Sequence, residues 1–180
     1  MAVLETERLR LRPFRADDVA PLVALLGEWQ VVRWLSRMPW PYTADHAADW
    51  VGTVMEEHEA GRPGHFAIAW RGDDVLVGGI GLTPQGDDAE LGYWLGRPYW
   101  GQGYGAEAAR SLLAYAFDGL GLRRVHAYTA PGNERSQRLL AGLGMRRVGD
   151  TPFPTPLRGG ITSGPHYELL RSDYAAAAAP

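Results

Sequence analysis

The stretch Glu90–Ala109, ELGYWLGRPYWGQGYGAEAA, changes periodicity twice. Glu90–Leu95 reads as a strand, and Gly96-Arg97-Pro98 leads out of it. Glycines then recur at 101, 103 and 105. Beyond them Ala106, Ala109, Leu112, Leu113, Ala116 and Phe117 fall on one side of a helix. The first amides of a helix have no internal partner and carry the positive end of its dipole. Glycine lets backbone approach an anion without a Cβ in the way. A strand, a glycine turn and a helix in that order therefore suit a phosphate group.

Three readings of this boundary compete. Gly101-x-Gly103-x-x-Ala106 formally fits a dinucleotide fingerprint. That fingerprint expects an acidic residue about twenty positions on, at the end of the next strand. Here the strand ends Tyr128-Thr129-Ala130-Pro131-Gly132, without an acid. A nucleotide-hydrolysing loop needs Gly-Lys-Ser/Thr, which is absent. The bland reading is a glycine turn that merely joins strand to helix. Three alternating glycines favour phosphate binding over it.

Working outward, Leu9 and Leu11 alternate with Arg8, Arg10 and Arg12, the pattern of a half-buried strand. Asp17 is placed to cap a helix with the stripe Val19, Leu22, Val23 and Leu26. Trp34, Trp40 and Tyr42 lie in a loop, as an acceptor-pocket lining or as aromatic core. Thr43 is placed to cap a second helix through Ala47, Trp50, Val51, Val54 and Met55. His65–Trp70 and Val75–Leu82 predict a hairpin. Arg124–Thr129 predicts a strand, Asn133–Leu143 a helix with Gly144 as its C′ residue, and Arg146–Asp150 and His166–Arg171 the last strands. Between those strands, residues 152–165 read as a Pro/Gly loop. The order β-α-α-β-β-β-α-β-α-β-β implies an α/β (α+β) fold: a mixed, mostly antiparallel sheet with helices on both faces. Residues 1–174 form one expected domain, and 175–180 an Ala-rich, disordered tail.

Composition narrows the function. The 180 residues are 46% hydrophobic, enough for a core, and carry a net charge of −3 with scattered arginines, so no nucleic-acid footprint is expected. There is no cysteine, hence no disulfide framework and no thiolate nucleophile. His46, His58, His65 and His166 lack metal-ligand spacing, so no metal is expected. The stretch Val19–Leu35 is too short and too charged to span a bilayer, and the N-terminus lacks a secretory h-region. The expected location is the cytoplasm.

Tyr99-Trp100-Gly101-Gln102-Gly103-Tyr104-Gly105-Ala106-Glu107-Ala108 resembles the coenzyme A pyrophosphate loop of the GNAT superfamily of N-acetyltransferases. It is most similar to the branch with the ribosomal-protein N-terminal acetyltransferases. Leu4–Arg12 resembles that branch's opening strand. Pro41-Tyr42-Thr43 followed by Trp50 resembles its second-helix region. Asn133, Ser136 and Leu143-Gly144-Met145 resemble its Asn-x-x-Ser helix and Leu-Gly-Phe ending. His166-Tyr167-Glu168-Leu169 with Asp173-Tyr174 resembles its last strand. The resemblance covers about residues 4 to 174.

The resemblance implies acetyl-CoA as cosubstrate and direct transfer to a primary amine. It implies that backbone amides of Gly101, Gln102, Gly103, Tyr104, Gly105 and Ala106 hold the pyrophosphate. Tyr93, Trp94 and Leu95 would border the pantetheine arm, with a backbone amide polarising the thioester carbonyl. Asn133 would hydrogen-bond the pantetheine, and Ser136 would face the sulfur. The alternative for Ser136 is a first-turn serine bonding local backbone. Glu90, on the strand, is either a water-linked base for the amine or a solvated strand carboxylate. Glu107 reads as a structural partner of the helix dipole, and His126 as a packed or hydrogen-bonded histidine.

The chain departs from the family pattern at three places. Trp100 stands where much of the superfamily has Gln or Arg. Leu140 replaces the tyrosine that protonates the thiolate in many members. Met145 replaces Phe. Two functions follow: a working N-acetyltransferase, or an acyl-CoA-binding regulatory module without turnover. Retained Ser136 and Glu90 favour the first. The acceptor expected from the branch is a peptide or protein N-terminus, with small-molecule amines as the other class. Exposed aromatics make room for a homodimer.

Overall fold

The protein is described from a computed structural model, which covers residues 3–62, 64–155 and 160–178. One eight-stranded sheet runs through the chain in the order β1-β2-β3-β4-β5-β6-β8-β7. Its strands are β1 (Leu4–Glu5), β2 (Leu9–Arg12), β3 (His65–Trp70), β4 (Leu76–Gln85), β5 (Asp88–Leu95), β6 (Arg124–Tyr128), β7 (Arg146–Thr155) and β8 (Gly160–Leu170). All neighbours are antiparallel except β5 and β6. That parallel pair spans the crossover through α4 (Tyr104–Ala114), as a parallel connection requires. The remaining helices are α1 (Val19–Leu26), α2 (Trp29–Val32), α3 (Ala44–Glu59), α5 (Glu134–Gly142) and α6 (Arg171–Ala178). Among the described residues, no helix is long and apolar enough to cross a membrane.

The alternation of strand side chains divides the core in two. On one face Leu9, Leu11, Phe66 and Ile68 pack with Leu112 and Phe117 of the α4 segment, Val125 and Leu140. On the other, Ala67 and Leu76 meet Phe14, Leu22, Leu26, Val51 and Val54 from α1, α3 and their approach. Helices therefore cover both faces, as the sequence predicts. Thr43 caps α3 through its Oγ1, which accepts from the His46 amide at 3.3 Å. Asp17 does not cap α1. A short 3₁₀ turn, Ala16–Asp18, precedes that helix, and the Asp18 carboxylate is engaged by Arg12 at 2.8 Å instead.

The sheet departs from expectation at its far edge. The segment that reads as a Pro/Gly loop is largely a β-ladder, registered from Asp150↔Pro165 to Thr155↔Gly160. Proline breaks a central strand because it lacks a ladder donor, but an edge strand tolerates it. Pro152 and Pro154 sit on β7, the last strand in the order, and Pro165 on β8 lies one residue past the end of that strand's pairing with β6, at Tyr128↔His166. Residues 156–159 of the expected loop lie outside the described ones. The expected tail also differs at its start, because residues 175–178 continue α6; residues 179–180 lie outside the described ones.

The feature that positions the site is the short parallel register. Pairing of β5 with β6 runs from Asp88↔Arg124 to Glu90↔His126 and ends there. On its other side β5 stays paired with β4 as far as Gly78↔Leu95. That pairing is close: a Cβ on Gly79 would lie 2.7 Å from the Trp94 indole nitrogen, so the bare strand lets β5 settle against it. Past Glu90 the free edge of β5 diverges from β6, and a cleft opens between them.

Candidate active site

The cleft has a volume of about 760 Å³ and reaches from the β5–α4 turn to the end of β6. Its floor along β5 is Glu90 to Leu95, so Tyr93, Trp94 and Leu95 all lie on the wall where the sequence expects them. Gly101, Gly103, Tyr104, Gly105 and Ala106 line one end, and Asn133 and Ser136 line the flank from α5. Tyr128, Thr129 and residues 151–153 close the other end, near Glu90. Among the described residues, no group of three or more His, Asp or Glu side chains converges as a metal site.

The glycine end presents backbone of a kind that an anion can approach. Gly101 and Gly103 hold φ of +75° and +85°, left-handed values that favour glycine. A Cβ built on Gly101 would project into open space, where a ligand could approach the backbone. Gly103 is the N-cap of α4, and its carbonyl accepts the first helical bond from the Glu107 amide at 3.0 Å. The preceding first-turn amides have no intrahelical acceptor. Gly105 lets α4 and α5 approach, since a Cβ there would meet the Leu139 side chain at 2.9 Å. Residue types and backbone thus fit a diphosphate.

Gln102 is the expected loop residue that the structure does not bring onto the cleft wall. Its side chain donates to the Pro98 carbonyl at 2.9 Å and accepts from the Tyr104 hydroxyl at 3.1 Å. It closes the turn, and only its backbone remains for a ligand. Trp100 ties the same turn to the strand: its indole N–H donates to the Leu95 carbonyl at 2.8 Å. Arg135 lies over the Trp100 ring at 4.4 Å.

At mid-cleft, Asn133 caps α5 by accepting the Ser136 amide on its side-chain oxygen at 3.3 Å. The cap fixes the first turn and with it the Ser136 side chain. Ser136 Oγ lies 2.7 Å from the Tyr93 hydroxyl. Burial pushes the Tyr93 phenol up to about 12, against the smaller opposing effect of the Ser136 hydrogen bond. Leu140, the position of the expected missing tyrosine, is fully buried in the core.

Glu90 is half-buried at the point where β5 and β6 part. Its charge reaches Tyr128, whose phenol is raised first by burial and then by Glu90. His126, its register partner, is 2% exposed with Nε2 3.2 Å from Gln85 Oε1. Burial holds the His126 imidazole below its ordinary value, so it stays neutral at pH 7. His126 is thus a packed, hydrogen-bonded residue. Of the loop aromatics, Trp34 lines the cleft and Tyr42 is core. Trp40 is exposed, edge-on to Trp29 at 5.3 Å.

Two groups escape the sequence reading. Arg8 lies beside the glycine loop, donating to the Gln102 carbonyl at 3.1 Å and ion-pairing with Glu107 at 2.6 Å. Its strand alternation marks a charged face and no more. The Tyr93 hydroxyl is the other: the sequence places that residue at the pantetheine edge, without signalling a side-chain partner on α5.

A family profile described as an Acetyltransferase (GNAT) domain matches residues 8–146. The uncharacterized N-acetyltransferase p20 of Bacillus licheniformis is 29% identical over 178 residues, 97% of this chain and 99% of the relative. The FsC-acetyl coenzyme A-N(2)-transacetylase of Aspergillus fumigatus is 35% identical, over 95% of this chain and 77% of its own length. The crystal structure of a GNAT-family acetyltransferase from Bacillus anthracis superposes with a TM-score of 0.84 at 25% identity, covering 95% of this chain and 99% of that one. A sheet that parts beside a glycine turn, a helix N-terminus at its end and these matches agree: the chain is an acetyltransferase and belongs to the GNAT family.

Proposed function

We propose that this protein transfers the acetyl group of acetyl-CoA directly to a primary amine held at the Glu90 end of the cleft. The observation that carries the reading is the convergence on one cleft of a left-handed glycine turn, a capped serine and a strand carboxylate. Amides of the turn and of the first turn of α4 hold the diphosphate, which places the pantetheine along β5. A β5 amide polarises the thioester carbonyl as charge develops on its oxygen. The amine attacks, the C–N bond forms and the C–S bond breaks with its electron pair passing to sulfur. Glu90 takes the amine's proton through water. Ser136 donates a hydrogen bond to the departing thiolate.

The acceptor we propose first is a peptide or protein N-terminus. Its α-amine has an ordinary pKa of about 7.7–8.0 and needs only a weak base. Glu90, the one carboxylate among the described lining residues, suits one amine better than a polycation. Small-molecule amines are the second class. The exposed Trp29–Trp40 pair supports a homodimer, and the cytoplasm is the setting of this reading. Mass spectrometry of peptides, polyamines and aminosugars incubated with enzyme and acetyl-CoA tests it. Acetylated peptide N-termini are the expected product. Tight acetyl-CoA binding with no acetylated amine in any class overturns it in favour of a binding module without turnover.

A further inference from the structure

Ser136 is hydrogen-bonded to a second hydroxyl on the cleft wall. The Tyr93 hydroxyl, on β5, is 2.7 Å from Ser136 Oγ and 3.4 Å from the Ser136 carbonyl oxygen, on α5. The pair crosses the cleft wall between two elements, and both residues face the cleft. From the distance alone, either hydroxyl could be the donor. The two cases differ in consequence. If Ser136 donates to Tyr93, its proton points at the phenol and away from the sulfur. If Tyr93 donates to Ser136, the serine proton is free to reach the sulfur.

We propose that Tyr93 is a positioning residue for thiolate departure: it donates to Ser136 Oγ and thereby turns the Ser136 O–H towards the leaving sulfur. The inference rests on the reading that Ser136 faces that sulfur. Growing negative charge on sulfur attracts the serine proton, and the phenol fills the acceptor side of Oγ. Hydrogen bonds arranged head to tail in this way strengthen one another. Tyr93 suits the part because burial holds it near 12, so it stays protonated throughout neutral pH. The same value makes it a weak source of the proton. An ordinary thiol lies near 8.5, so full transfer from Tyr93 to the thiolate would run uphill on the order of a thousandfold. The thiolate instead leaves stabilised by the Ser136 hydrogen bond and takes its proton from water, as the amine's proton leaves by Glu90. Leu140, fully buried, contributes no proton.

The test is a double-mutant cycle on the single-turnover acetyl-transfer rate, with Tyr93→Phe, Ser136→Ala and the pair combined. Each variant's Kd for acetyl-CoA and Tm are measured beside it. The expected result is a rate about tenfold lower for Tyr93→Phe with Kd within about twofold, the pattern of an interaction made in the transition state. Ser136→Ala is at least as slow, and adding Tyr93→Phe to it slows the reaction no further. Tyr93→Phe at the wild-type rate while Ser136→Ala is slow overturns the positioning role and leaves the Ser136 reading intact. Both single variants at the wild-type rate overturn the Ser136 reading, and this inference with it. Equal slowing by Tyr93→Phe in both backgrounds means that the phenol acts elsewhere and also overturns it. A lower Tm with an unchanged rate marks a packing role only. Should Tyr93→Phe not fold, the wild-type pH–rate profile decides. A flat rate through about pH 10 supports a raised phenol donor, and a fall there, where an ordinary tyrosine ionises, overturns it.

Discussion

Nη2 of Arg8 and Oε2 of Glu107 lie 2.6 Å apart, joining the β1–β2 turn to the first turn of α4. Glu107 also accepts from the Thr6 hydroxyl at 2.6 Å and from the Arg8 amide at 2.9 Å. The same guanidinium donates to the Gln102 carbonyl. One carboxylate therefore anchors the glycine turn to a distant hairpin, so Glu107 is more than a partner of the helix dipole.

Glu107→Gln should loosen that turn. Burial works against the Glu107 charge, but the bonds from Thr6 and Arg8 together outweigh it and hold the carboxyl below its ordinary value. A depressed carboxyl stabilises the fold above the unfolded pKa, about 4.3, and loses that contribution as pH falls through the folded value. The Tm difference between wild type and Glu107→Gln should thus be full at pH 6 and close as pH falls below about 4. At neutral pH the variant's KM for acetyl-CoA should rise about threefold, the scale of a solvent-screened pair, with kcat little changed. Thermal melts at several pH values and steady-state kinetics read both. A Tm gap that persists unchanged to pH 3 would overturn the account.

Gly103→Val should abolish the thermal shift that acetyl-CoA produces. A ligand that binds only the folded state raises Tm by mass action. Valine at φ +85° is strained, and its branches would crowd Arg8, whose Nη2 already lies 3.4 Å from a Cβ built at that position. The unliganded Tm separates the two effects: it falls from strain, while the loss of the ligand shift reports the site. A folded variant with a normal acetyl-CoA shift means the diphosphate does not sit at this turn.

Trp100→Phe removes the donor to the Leu95 carbonyl and weakens the stack with Arg135. The expected cost is about 1 kcal/mol of stability, typical of one lost hydrogen bond. Because Leu95 ends the strand beside the cleft, KM for acetyl-CoA should rise while kcat holds. Denaturant melts and kinetics check this. A lower kcat at unchanged KM would instead tie Trp100 to the chemical step.

These residues also separate what the sequence discloses from what it hides. The strand, turn and helix at Glu90–Ala109 are legible because each is encoded locally, by alternation, by glycine and by helical spacing. The helix from Asn133 and its C′ residue Gly144, with φ +82°, are legible for the same reason, whereas the Asn133 cap is not, that side chain being expected on the pantetheine. The β7–β8 ladder is not, because Pro152 looks like loop until its strand is known to lie at the edge, and Gly164 on the inner strand β8 looks like loop until its neighbour is known. Gly164 is required there by the Thr129 carbonyl, which a Cβ would approach to 2.2 Å, and no local signal carries that fact. Arg8 with Glu107, and Tyr93 with Ser136, are meetings of distant segments. Sequence gives the residue types and withholds the partners.

Glu90 is the residue for which chemistry and packing make opposite forecasts. If it relays the amine proton through water, Glu90→Gln keeps size and most hydrogen bonding but removes the basic lone pair. The rate should fall about 10²-fold at neutral pH, the low end for general base catalysis. The loss should shrink as pH rises past about 8, because an α-amine then deprotonates by itself. The position argues that stability will barely change, since the strand pairing at Glu90 is made by backbone on both sides, to Thr83 and His126. A structural carboxylate would give the reverse: a lower Tm and an unaltered rate. Wild-type and Glu90→Gln pH–rate profiles on one peptide acceptor, with chemistry rate-limiting, distinguish the two. Coincident profiles across neutral pH would remove Glu90 from the mechanism and leave the amine's proton to a water chain ending on backbone carbonyls.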